Sequence, residues 1–162
     1  MQKILLASLV SAAFAMPTVA AEQADVVIIG SGGAGLSAAV TAHDLGKKVI
    51  VLEKLGILGG STNVSEGALN AADPQRQGKQ GIEDSIQKHY EQTMKGGHNI
   101  GNPELVHYLT DHALESVHWL ESIGVKFKDE VGTATGALWQ RSHYPATPVS
   151  YTHLTLPTNS RV

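Results

Sequence analysis

Residues 25–54 read DVVIIGSGGAGLSAAVTAHDLGKKVIVLEK, and the reading of the whole chain grows from them. DVVIIG is a short, apolar, β-branched run, which predicts a buried parallel strand ending at Gly30. GLSAAVTAHDLGK then spaces Leu36, Ala39, Val40 and Leu45 as the apolar positions of a helix, with Gly46 as its C-terminal stop. KVIVLEK predicts a second buried strand. Strand, helix and strand in this order make a βαβ unit, whose crossover is right-handed.

Between the first strand and the helix lies Gly30-Ser31-Gly32-Gly33-Ala34-Gly35, a G-x-G-x-x-G pattern in the context that gives it meaning. Gly30 permits the tight turn, Gly32 lets a pyrophosphate approach the backbone, and Gly35 lets the helix pack closely on the strand. The phosphates belong at the helix N-terminus, where free N–H groups and the helix dipole favour anions. Glu53 follows Gly35 by 18 residues, at the end of the second strand, and Lys54 comes next. Its carboxylate is placed to accept hydrogen bonds from an adenosine ribose. These residues predict a dinucleotide site.

LGILGGSTNVSEGALNAADPQRQGKQG follows, rich in glycine and small polar residues and without a sustained period. A stretch of this length inside a domain is a binding segment rather than a spacer. Its Gly59-Gly60 pair, followed by hydroxyl and amide residues, can run small groups along a pyrophosphate toward an isoalloxazine ring, which favours FAD over NAD. Two helices are predicted next: EDSIQKHYEQTMKGG, and NPELVHYLTDHALESVHWLESIG. The second has Asn102 as N-cap, Pro103 in the first turn, an apolar stripe of Leu105, Leu109, Ala113, Val117 and Leu120, and Gly124 as its stop. VKFKDE predicts a short strand; none is evident after it, so the apolar faces of the first two strands should be poorly covered.

With 162 residues, the chain has room for one ordinary domain. Its 42% hydrophobic residues and 17% charged residues fit a globular class, and a net charge of −3 gives no nucleic-acid footprint. The absence of cysteine excludes disulfides, thiolate catalysis, Cys-ligated zinc, iron–sulfur clusters and c-type haem attachment. Residues 1–21 carry a cationic start, the apolar run ILLASLVSAAFA and small residues before Glu22. They predict a cleaved Sec-type signal peptide, hence a periplasmic protein without a stable membrane anchor. His107, Asp111 and His118 share a helix face, but the charges around them make it a solvated face, and no metal site is predicted.

DVVIIGSGGAGLSAAVTAHDLGKKVIVLEK, GGSTNVSEGALNAA, TMKGG, the NPELV start of the long helix and RSHYP together resemble the N-terminal FAD-binding part of the fumarate reductase and succinate dehydrogenase flavoprotein family. Within that family the resemblance is to the secreted flavocytochrome c branch of soluble fumarate, urocanate and methacrylate-type reductases. It runs from Ala24 to about Thr147. The fold class it implies is α/β: a partial Rossmann-like FAD-binding domain, a βαβ unit plus following helices, incomplete.

The resemblance implies that Ala34 and the surrounding glycines contact the pyrophosphate, that Gly60, Ser61 and Thr62 begin the flavin-binding segment, and that Gly67 and Ala68 lie near the flavin and a bound dicarboxylate. Ala68 stands where the family has glycine, which puts its local φ in question. It further implies hydride transfer from reduced flavin to an activated alkene carboxylate, with proton donor and substrate clamp outside the matched segment. No catalytic residue is therefore assigned. Arg141 and His143 match the family in RSHYP, with structural bonding and ligand contact both open.

Electrons would come from a separate cytochrome or a further domain. The alternatives are a 3-ketosteroid dehydrogenase-like enzyme and a non-catalytic nucleotide-binding remnant. The closing PVSYTHLTLPTNSRV, residues 148–162, resembles translated sequencing-library adapter, leaving 22–147 as the native part of the domain.

Overall fold

A computed structural model describes residues 21–146. The tail 148–162, and the leader apart from Ala21, lie outside the described residues. The predicted βαβ unit is present: β1 (Val26–Ile29), α1 (Gly33–Asp44) and β2 (Val49–Leu52), with β1 and β2 parallel from Val26 against Val49 to Ile29 against Leu52. Gly30 N–H extends the pairing by donating to Leu52 O at 2.7 Å. Leu36 and Ala39 form the buried side of α1. Leu45 is its exposed C-cap, and Gly46 follows in the left-handed conformation.

The Gly-rich segment has more structure than its lack of period implied. A 3-10 turn covers Gly60–Val64, β3 covers Leu69–Asn70 and α2 covers Pro74–Lys79. The start of α2 is sequence-encoded after all: the Asp73 carboxylate accepts from Gln75 N–H and Arg76 N–H at 2.9 and 3.0 Å, and Pro74 needs no N–H partner. Next come α3 (Ile86–Gly96), capped by Ser85, and α4 (Pro103–Ser122). The Asn102 side chain caps α4 through Glu104 N–H and Leu105 N–H.

A second sheet corrects the expectation that strands end with VKFKDE. β4 (Phe127–Gly132) and β5 (Ser142–Pro145) pair antiparallel, and β5 also pairs with β3, giving the order β3-β5-β4. SHYP has no clean alternation of apolar and polar residues, so pairing rather than pattern makes it a strand. The parallel sheet still has two strands among the described residues, and Val27, Ile29 and Leu52 are 56%, 88% and 52% exposed. The expectation of poorly covered strand faces agrees with these values.

The core lies between α4 and the antiparallel sheet: Ala71, Ala113, Val117 and Phe127, flanked by Leu69, Leu114, Leu120 and Val125. This corrects the apolar stripe of α4. Leu105 and Leu109 are exposed, and Thr110 takes the inward position, its hydroxyl donating to Val106 O and His107 O. A strict four-residue repeat drifts around a helix of 3.6 residues per turn, so one row from Leu105 to Val117 does not stay on one face.

Val117 is fully buried, so Val117→Ala is expected to lower unfolding free energy by about 2 kcal/mol, counting lost transfer and a residual cavity. Leu105→Ala should stay within about 0.5 kcal/mol. Urea titrations of both variants check the assignment, and equal losses would contradict it.

Candidate cofactor site

The site starts from Ser31, which is fully buried in the turn between β1 and α1. Its N–H and hydroxyl both donate to Glu53 Oε2, at 2.9 and 2.5 Å, and its Oγ accepts from Gly59 N–H at 3.0 Å. Glu53 Oε1 accepts from Leu55 N–H at 2.9 Å. A carboxylate offers about four lone-pair directions, so one on Oε1 stays available to a hydroxyl donor. Ser31 thus ties three pieces of chain together: the first turn, the end of β2 and the double-glycine loop. The sequence marks Ser31 as a cofactor-binding residue; here its side chain is fully buried and bonded within the chain.

At Gly35, an added Cβ would lie 2.0 Å from the carbonyl oxygen of Gly30, so only glycine permits this helix to meet this strand. Gly59, at φ +101°, makes the turn that brings the 3-10 segment back to the motif, and Gly60 then packs beside the Gly32 backbone. Thr62 Oγ1 accepts from Gly33 N–H at 3.0 Å. Among the described residues, the N–H groups of Gly32, Ala34 and Gly35 have no protein acceptor. Three unpartnered amides at the end of a 12-residue helix are what an anion requires.

A cavity of about 690 Å³ opens beside Gly33, Gly59 and Thr62 and reaches Gly67, Ala68 and Leu69, within the size range of cofactor sites. Gly67 takes the positive φ, +74°, and Ala68 does not, which answers the question raised by alanine at that position. Of the predicted residues, Gly33, Thr62, Gly67 and Ala68 border this cavity, which runs between Leu36 and Val40 of α1 and Tyr108 and Trp119 of α4, whereas Gly30, Ser31, Gly32, Ala34, Gly35, Glu53 and Gly60 do not line it. Lys54 and Ser61 are exposed, and neither makes a side-chain hydrogen bond among the described residues.

Arg141 and His143 resolve to structural bonding. Arg141 Nε and Nη2 donate to the two Asp84 carboxylate oxygens at 2.9 and 2.8 Å, and Nη2 also reaches Gln92 Oε1 at 2.8 Å. His89 lies nearby, 6% exposed and with Nδ1 unpartnered. Burial first, then the Arg141 charge, pushes its pKa down to about 4 against the pull of Asp84, so it is neutral near pH 7. His143 is held by Leu69 O and Asp73. His107 stacks on Tyr90 at 3.6 Å, and the described residues contain no group of three His, Asp or Glu side chains arranged for a metal ion.

The FAD binding domain family matches residues 25–159. The chain belongs to that family. Its relatives include the fumarate reductase (cytochrome) of Shewanella frigidimarina, 46% identical over 121 residues that cover 75% of this chain and 21% of that protein. The urocanate reductase of Eggerthella lenta is also 46% identical, over 96 residues covering 59% of this chain and 16% of that protein. Among solved structures, an open flavocytochrome c3 fumarate reductase superposes with a TM-score of 0.72 at 29% identity, covering 93% of this chain and 25% of its own. A 3-ketosteroid-Δ4-(5α)-dehydrogenase from Rhodococcus jostii RHA1 gives 0.64 at 26%, covering 81% and 33%.

The chain spans about a fifth of the length of the relatives it matches. FAD is thus the cofactor. The α1 amides and the small residues around them fit its pyrophosphate, and the remaining Oε1 direction of Glu53 fits a ribose hydroxyl. Among the described residues no helix is long and apolar enough to cross a membrane.

The Ser31 hydroxyl, then the Leu55 and Ser31 N–H groups, hold the Glu53 carboxyl at about 2, below its ordinary 4.5, against the opposing effect of burial. A folded value below the unfolded one stabilises fully above about pH 4.5, and that stabilisation is lost as pH falls through about 2. Glu53→Gln should therefore flatten the acid limb of a stability profile in this window. An unchanged limb would contradict the hydrogen-bonded carboxylate.

Proposed function

We propose that this domain holds FAD for an exported reductase of activated alkene carboxylates, of the fumarate, urocanate or methacrylate type. The observation that carries the reading is the similarity to fumarate and urocanate reductases, which spans the FAD site described above. When bound, FAD supplies a two-electron hydride carrier. The residues of this chain bind and orient it. Gly32, Ala34 and Gly35 N–H groups take the pyrophosphate, with Gly30, Ser31 and Gly33 fixing the turn beneath them. Glu53 accepts from the ribose, with Lys54 at its rim. Gly60, Ser61 and Thr62 line the path toward the flavin ring, and the Gly67–Ala68 backbone lies against that ring. The proton donor and the substrate carboxylate clamp lie outside this segment.

Export by the Sec-type leader would place the enzyme in the periplasm, with a cytochrome as electron donor. A retained flavin suits that compartment, where no freely diffusing nicotinamide pool is expected. The second reading, a 3-ketosteroid dehydrogenase, rests on the superposition with the Rhodococcus enzyme. The higher TM-score and wider coverage of the fumarate reductase favour the first.

Equilibrium dialysis of the chain with FAD should give one FAD per chain. Glu53→Ala should weaken binding on the order of tenfold, as expected for hydrogen bonds to a charged group. Residues 25–146 exchanged into the matching segment of the Shewanella fumarate reductase should retain fumarate reduction by a reduced dye. FAD binding without fumarate reduction, or turnover of 4-androstene-3,17-dione instead, would refute the alkene carboxylate assignment.

A further inference from the structure

His143 is fully buried, and each of its ring nitrogens faces an oxygen that only accepts. Nδ1 lies 3.2 Å from Leu69 O and Nε2 3.1 Å from Asp73 Oδ2. A ring carrying a proton on both nitrogens donates to both, and a neutral ring donates to one. Phe127 meets the ring edge-on, with centroids 6.1 Å apart and planes at 84°, and so fixes its orientation.

The anchor behind His143 is extensive. Asp73 Oδ2 also accepts from Arg76 Nη1 at 3.0 Å, while Oδ1 caps α2. Arg76 Nη2 donates in turn to Glu121 in the last turn of α4. Strand β5, the α2 cap and the end of α4 therefore form one polar network, buried at His143 and Asp73 and partly exposed at Glu121, which ends on the carbonyl of Leu69. Leu69 directly follows Ala68, and Gly67, Ala68 and Leu69 form one wall of the cavity between α1 and α4 that also borders Gly33, Gly59 and Thr62. The two-residue strand β3 pairs Leu69 with His143, and a strand that short has little else to fix its register.

We propose that His143 is a positioning residue that sets the Gly67–Ala68 backbone at the flavin-facing wall of the cavity. It acts through Leu69, with Asp73 holding the imidazole in the working orientation. The proposal rests on the FAD reading for what lies against that wall. The clamp itself stands on this chain's own contacts.

The test uses the full chain with His143→Gln and Asp73→Asn, and Asn102→Ala, which removes the α4 N-cap, as a variant destabilised away from the site. Without FAD, backbone amide NMR of His143→Gln should show Gly67, Ala68 and Leu69 displaced while Gly32 to Gly35 keep their shifts. With FAD, His143→Gln and Asp73→Asn should both alter the visible circular dichroism of the bound flavin. Binding should weaken on the order of tenfold, because the displaced wall must then be ordered during binding. Asn102→Ala should leave that spectrum unchanged.

Unmoved Gly67 and Ala68 amides in His143→Gln would overturn the clamp. If those amides move but wild-type chain binds no FAD, the clamp stands and the FAD reading fails. If FAD binds and its spectrum is the same in all three variants, the clamp does not position the flavin wall.

Discussion

The contact between Ser31 and Glu53 is the constraint on which the site depends. Two donors from one buried residue converge on a single carboxylate oxygen, and the same hydroxyl receives the Gly59 N–H. Charge-assisted bonds of this kind are roughly twice as strong as neutral ones. They fix the turn before α1 relative to the end of β2, and they draw the double-glycine loop over it. The free α1 amides then flank Gly33, which borders the cavity, and this arrangement is set before any ligand arrives. That is preorganisation: ordering costs are met during folding rather than during binding.

A second constraint is steric. The approach of Gly35 to the Gly30 carbonyl leaves no room for a side chain, so helix and strand meet at one distance. At the far end of the cavity, the network through His143, Asp73, Arg76 and Glu121 plays the matching role for Gly67 and Ala68. Between these two fixed ends lies a chain with much exposed apolar surface, including Ile29 and Val64 at 88% and 84%. The site is better determined than the sheet that carries it.

Much of this was legible in the sequence, for reasons that differ by element. The βαβ unit could be read because its strands are continuous β-branched runs and its glycines occupy backbone-determined positions. Asn102-Pro103 and Gly124 marked α4 because caps are local chemistry. The interior of α4 was misread where a four-residue repeat stood in for a 3.6-residue period, and Thr110 rather than Leu109 turned inward. Asp73-Pro74 carried a readable helix start inside a stretch that composition marked as loop. β5 and the three-stranded sheet were out of reach: SHYP becomes a strand only through pairing with Leu69 and Val131, 74 and 12 residues away. Ser31 illustrates the same limit at the site, since its partner Glu53 was visible but their bond was not.

The most direct measurement of the central claim is a backbone amide NMR titration of the chain with FAD. Saturable displacement of Gly32, Ala34 and Gly35, with Ser31 and Gly59 following as the lock adjusts, is the predicted result. Displacement confined to other residues, or none at FAD concentrations that saturate related flavoproteins, would contradict it.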